Sequence, residues 1–271
     1  MTTNTVLFIF VYIIGVIPLV VSLIRYFIHF AETDSTVSVA TLHPGGLAFL
    51  LAVGKWLSLI ILLYTAYRLL FRRWKHHPKT IVQHKEDFIK FIYIGICMSA
   101  LAGVAIRVDT NVAFIPFVCF YSVLYGILFE LATKWKITLT THILRNPIGI
   151  LISVITVILC LLTLIALCMM AWQVSITFFT IYMSAFVSLG LVHFMLAFPI
   201  LPGFTGISYF HVHHWYWSVI LAHFCIFQTE ASMIAQAIFL AIHIHGVSCF
   251  GMDPLFHDAF SHKPDRNAVR V

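Results

Sequence analysis

Charge is scarce in this chain. Lys, Arg, Asp and Glu make up 10% of its 271 residues, against about a quarter in an ordinary soluble domain. That shortage excludes a soluble globular fold. Acidic residues are scarcer still, ten in all, and almost none falls in the middle of an apolar segment. A proton or ion path through a membrane needs such groups in several spans, so transport driven by buried carboxylates is disfavoured. No CxxC pair occurs. The six cysteines, Cys97, Cys119, Cys160, Cys168, Cys225 and Cys249, all lie inside apolar runs and read as small buried hydrophobes, not as a disulfide framework or a zinc ribbon. A Walker loop, a nucleophile elbow, an HExxH box and a nucleotide fingerprint are all missing. So are a long linker, a low-complexity tract and an internal repeat, which leaves one integral membrane domain, 1–271.

What the chain has instead is apolar length. It is 61% hydrophobic with a mean hydropathy of +1.00. A bilayer core of about 30 Å takes roughly 20 helical residues. Eight runs of that order are present, approximately 6–29, 47–71, 88–106, 112–132, 148–171, 174–198, 208–228 and 231–251. The fold class is therefore all-α, a polytopic transmembrane helical bundle of about eight spans. The first run is too long for a signal-peptide core and has neither a basic leader nor a small-residue cleavage pattern, so it reads as an uncleaved span. The fifth and sixth runs, and the seventh and eighth, are separated by only a few residues and should form tight antiparallel hairpins. The seventh is diluted by histidine.

With eight spans both termini share one side. All of the 16 Lys and Arg except Arg25, Lys55 and Arg107 then fall on that side, which the positive-inside rule makes cytoplasmic, or matrix-facing in a mitochondrial membrane. Trp74, Trp135, Trp172, Trp215 and Trp217 sit at span ends, where an indole prefers the headgroup level. Lys55, beside Trp56, is expected to snorkel toward the opposite face, and Arg107 with Asp109 to occupy a short loop. The excess positive charge, +6, belongs to topology and not to nucleic acid. The basic loop 72–87 sets orientation and can touch anionic lipid. The localisation is integral and multi-pass, in an endomembrane, the plasma membrane or the mitochondrial inner membrane.

Histidine is the residue in excess, with 15 copies. His76, His77, His84 and His142 lie in basic loops. His193 lies near the end of the sixth run, His211, His213 and His214 in the first turns of the seventh within YFHVHHWYW (209–217), and His243 and His245 in the last third of the eighth. Because successive spans run antiparallel, these positions share one layer, on the order of 10 Å inside the basic face. Polar groups at that depth are costly unless they face the bundle interior and find partners. At about 100° per residue His211 and His214 share a face while His213 points away, and His243 and His245 diverge by about 200°, so at most one of the latter can enter the same site.

The expected metal ligands are thus His193, His211, His214 and either His243 or His245. His213, His223, Asp253 and His257 are candidates to orient them. Imidazole suits iron, copper and zinc as well as axial ligation of haem. The expected function is redox chemistry on a lipid-like or quinone-like molecule. The alternatives are a non-catalytic accessory subunit of a larger membrane complex, with interfacial histidines, and a metal-ion carrier. Expected partners are the lipid bilayer and other membrane subunits.

Two stretches resemble known motifs. HPGG at 43–46 matches the haem-ligand motif of cytochrome b5, but that motif works inside a soluble domain of about a hundred residues, and here it reads as a turn that starts a helix. The histidine clustering of the last eighty residues is similar to that of membrane fatty-acid desaturases and hydroxylases, whose histidines hold two irons at the cytoplasmic face. Their boxes read HxxxH and HxxHH, whereas this chain has HVHH at 211–214 and HIH at 243–245, so their ligand assignment does not carry over.

Overall fold

A computed structural model describes residues 3–32, 37–39, 46–70, 79–134, 147–197, 208–210, 214–251 and 256–258. Its elements are α1 (Thr3–Glu32), α2 (Gly46–Leu70), α3 (Ile81–Leu101), α4 (Val104–Thr110), α5 (Phe114–Lys134), α6 (Pro147–Val174), α7 (Ile176–Ala197), β1 (Ser208–Phe210), α8 (His214–Phe224), α9 (Glu230–Phe250) and β2 (Phe256–Asp258). Apart from one short ribbon, the described residues form a helical bundle. Five helices, α1, α2, α5, α6 and α9, are long and apolar enough to cross a membrane, or six if the bent pair α3 and α4 counts as one. The chain is built as a multi-pass membrane protein.

Local chemistry sets several boundaries. Thr80 closes a capping box on α3: its Oγ1 accepts from the Gln83 N–H, and the Gln83 side chain accepts from the Thr80 N–H at 2.8 Å. That satisfies two of the donors a helix start leaves open. Thr229 caps α9 by accepting from the Ser232 N–H. Between α6 and α7 a single residue, Ser175, turns the chain, its hydroxyl accepting from the Phe178 N–H at 3.0 Å.

Two expectations about the spans change. The third run, drawn as 88–106, is a helix that begins at Ile81 and breaks at Ala102 and Gly103, with α4 leaving at 73°. Gly103 has φ +65°, the left-handed region that only glycine enters without strain. The seventh run, drawn as 208–228, contains a helix of only 11 residues, about 16 Å long. Its first part is strand, because Ser208–Phe210 pairs antiparallel with Phe256–Asp258 in the register Ser208↔Asp258, Tyr209↔His257, Phe210↔Phe256.

The centre of the bundle is α9, which packs against α8, α5, α2, α1 and α6. Of its span, 83% is buried, against 11% for α6. The sequence explains the difference. Ala231, Ser232, Ala235, Ala237, Ala241, Gly246 and Ser248 give α9 a small cross-section on every side, which lets neighbouring backbones approach closely. In α6, by contrast, branched and large apolar side chains such as Ile150, Leu151, Val154, Val157 and Leu161 lie exposed on the outside.

Candidate histidine site at the basic end of the bundle

Two hydrogen bonds fix the heights of α7, α8 and α9 relative to one another. The Tyr182 hydroxyl of α7 donates to the Phe224 carbonyl of α8 at 2.9 Å, and the Gln236 side-chain amide of α9 donates to the Ala222 carbonyl at 3.0 Å. From Phe224 back to His214 is ten residues and from Tyr182 on to His193 is eleven, rises of about 15 and 16 Å. From Ala222 back to His214, and from Gln236 on to Ile244 between the two α9 histidines, is eight residues each, about 12 Å. The backbones at His193, His214 and His243–His245 therefore stand within about a turn of the same height on three antiparallel helices. Strand pairing adds a fourth segment: β2 sets His257 opposite Tyr209, two residues before His211, and β1 lies against α7.

His243 is buried at 3% exposure, its ring 5.4 Å from Phe91 of α3. His245, at 2%, sits on the other side of α9 among Tyr67, Tyr125 and Phe129, with ring centroids at 5.4, 5.0 and 4.8 Å. The two cannot serve one ion. Since α8 packs on both α9 and α3, His243, which faces α3, is the one on the α8 side. The side chains of His193, His214 and His257 lie outside the described residues, as do His211, His213 and Asp253 altogether. Among the described residues no group of three His, Cys, Asp or Glu side chains has a metal-holding arrangement. His223 belongs to the other end of α8. Its Nδ1 lies 2.7 Å from the Val219 carbonyl, so Nδ1 carries the proton and the ring borders an apolar groove of about 450 Å³ between α7 and α8.

The end of α9 beside this layer is held by cations. Lys79 Nζ donates to the Val247 and Ser248 carbonyls at 2.8 and 3.4 Å and to Asp87 Oδ2 at 2.8 Å. Arg68 Nη1 donates to the Ser248 carbonyl at 3.3 Å. The Val247 carbonyl already accepts from the Gly251 N–H at 3.0 Å, so Lys79 is its second donor, and positive charge at a helix C-terminus interacts favourably with the helix dipole. Lys79 and Asp87 retain only 5% and 9% side-chain exposure. Burial lowers the Lys79 pKa, and the hydrogen bond and charge of Asp87 raise it part of the way back. Gly251, at φ +89°, lets the chain leave α9 beside this pair, where a Cβ would come 3.1 Å from Asp87 Oδ2. Nearby, Tyr64 Oη and His84 Nδ1 are 2.8 Å apart. Sequence reading missed this clamp, because Lys79 and its acceptors on α9 are separated by 168 residues.

At the opposite end, Arg107 is not in a loop but on α4 and buried at 3%. Its Nη1 donates to Gln236 Oε1 at 2.8 Å and the Ser232 carbonyl at 3.3 Å, its Nη2 to Ser232 Oγ at 3.1 Å and to the Phe227 carbonyl. The Gln236 amide in turn donates to the Ala102 carbonyl at 2.8 Å as well as to Ala222. The network ties the α3–α4 break to the α8–α9 turn. Gln236 and Ser232 were the available signal, as polar residues in the first half of an apolar span. No protein family, curated protein or solved structure matches the chain.

Proposed function

We propose that the protein crosses the membrane as eight inserted segments, with α8 completing the seventh, and with both termini on the cytoplasmic or matrix side. At that face it holds a metal ion or haem through His193, His211, His214 and His243, and uses it for redox chemistry on a lipid-like or quinone-like molecule. The observation that supports the site is the common height of His193, His214 and the α9 histidines on three adjacent helices, with the His257 strand brought alongside. Nitrogen ligands from several helices at one depth are what a bundle needs to grip iron, copper or haem iron. His243 is preferred to His245 because α8 contacts α3, the helix that His243 faces.

The test is the protein purified in detergent, with its visible spectrum and its iron, copper and zinc content per chain. A Soret band or a stoichiometric metal is expected, lost in the H211A/H214A double variant and retained in H76A/H77A. A chain with neither would overturn the metal reading and leave the accessory-subunit role. Metal retained by the double variant would refute the ligand set.

A further inference from the structure

One ring nitrogen of His223 has no partner among the described residues. A carbonyl oxygen only accepts, so the contact of Nδ1 with the Val219 carbonyl places the ring proton on Nδ1. Nε2 of the neutral ring is then a bare acceptor. Two hydrogen bonds give its depth. Tyr182 and Gln236, which bond the Phe224 and Ala222 carbonyls on either side of His223, each stand six residues into their helices. That is about 9 Å in from the Glu230 end of the bundle on both α7 and α9. At such a depth in a bilayer no bulk water completes the hydrogen bonding of the ring, and an unpaired acceptor facing hydrocarbon is costly.

The surroundings suit a flat apolar molecule. α7 packs along α6 but meets α8 through aromatic rings. Phe178, Tyr182 and Phe224 follow one another at centroid distances of 6.2 and 5.3 Å, and all three line the groove of about 450 Å³ that His223 borders. The groove opens outward past Ile181 and Ala185, both exposed. Its volume is in the range of pockets that hold one small molecule. Only Tyr182 and His223 bring polar side-chain atoms to its lining, and the Tyr182 proton is already given to the Phe224 carbonyl. Nε2 is thus the one open polar atom between apolar walls among the described residues.

We infer that this groove binds a lipid-soluble phenol of the hydroquinone class, its hydroxyl donating to His223 Nε2 and its ring lying against Phe178, Tyr182 and Phe224. Chemistry selects the occupant. A phospholipid acyl chain would fill the groove but has no donor, and an oxidised quinone would set its carbonyl oxygens against the Nε2 lone pair. A sterol has a donor, but its aliphatic rings give the aromatic wall no edge-to-face or stacked partner. The inference places a quinone-like molecule about 13 Å along α8 from His214. It rests on the proposed function only for the use made of that molecule, since binding itself needs no metal.

The test uses the full chain in phosphatidylcholine vesicles under anaerobic, reducing conditions, with radiolabelled decylhydroquinone as the probe and its retention over protein-free vesicles as the readout. Unlabelled decylhydroquinone should displace it roughly tenfold better than the dimethyl ether, which keeps ring and tail but has no donor. That margin should vanish in H223L, and all binding should weaken severalfold in A185F, which fills the groove. Both variants should fold, since His223 is half-buried among apolar neighbours and Ala185 is exposed. The margin should persist in H211A/H214A whether or not the wild-type chain holds a metal, which separates this inference from the metal reading. Equal displacement by the ether, or a margin that survives H223L, overturns the inference. So does a margin lost in H211A/H214A, which would put the phenol at the basic end, and so does cholesterol displacing the probe better than the hydroquinone, which would make the occupant a sterol.

Discussion

Lys79 and Arg107 hold the two ends of the bundle together, and each does so by giving its protons to main-chain carbonyls at helix ends. The difference lies in the counter-charge. Among the described residues Arg107 donates to carbonyl, hydroxyl and amide oxygens and lies 5.9 Å from the Phe114 ring centroid, so dipoles and a ring face balance its charge. Lys79 has Asp87. Removing one member of a buried pair strands the other, which costs about 3–5 kcal/mol, while replacing both by apolar side chains is often close to neutral. The D87L variant is expected to lose stability of that order, and K79M/D87L to recover much of it, in a double-mutant cycle read by thermal unfolding in detergent. A double variant as unstable as D87L would show the pair to be uncoupled. At this scale some things were legible and some were not. The divergence of His243 and His245 follows from the helical angle alone. The carbonyls that Lys79 meets on α9 and the partners of Arg107 lie more than a hundred residues away in sequence, and no local pattern encodes such a pairing.

At the scale of elements, apolar run length placed most helices within a few residues. For α2, 47–71 was expected and Gly46–Leu70 found; for α9, 231–251 and Glu230–Phe250; for α5, 112–132 and Phe114–Lys134. These agree because the length of each run is dictated by the bilayer thickness, a constraint the sequence carries directly. The misreadings have one cause, which is that hydropathy does not register backbone conformation. Ala102 and Gly103 are apolar enough to continue a span, yet Gly103 turns the chain by adopting φ +65°. Tyr209 and Phe210 read as part of a helix, yet pair with His257 and Phe256 across a ribbon. Gly103→Ala tests the first point. An alanine forced into the left-handed region costs about 1–2 kcal/mol, so G103A should lower the unfolding free energy by that amount, with no change if the break tolerates a right-handed φ. A common height for the histidine-bearing turns was expected because antiparallel helices of equal rise return to the same depth. Which α9 histidine faces α8 was not, since it depends on the azimuth of α9 among five neighbours.

For the whole molecule, polarity divides between two ends, and the division can be checked without any functional assay. One end carries the Lys79 and Arg68 contacts to the α9 C-terminus. The other joins the end of α1 to the α8–α9 turn. There Arg25 pairs with Glu230 at 3.3 Å, the Gln228 N–H donates to the Ser38 carbonyl at 2.9 Å, and Tyr26 donates to Gln173 at 3.0 Å. The 21 residues of α9 give about 31 Å between the two ends, one hydrocarbon thickness. Positive-inside counting assigns the Lys79 end to the cytoplasm or matrix. Ser38, Gln228 and Lys85 are all exposed, so single cysteines at these positions, in a background with the six native cysteines replaced, report the side directly. In sealed vesicles an impermeant maleimide should label S38C and Q228C from one side and K85C only from the other. Labelling of S38C and K85C from the same side would mean that α2 does not cross, and with it would fall the even span count and the shared face of the termini. Labelling of S38C and Q228C from opposite sides would contradict the hydrogen bond that joins them.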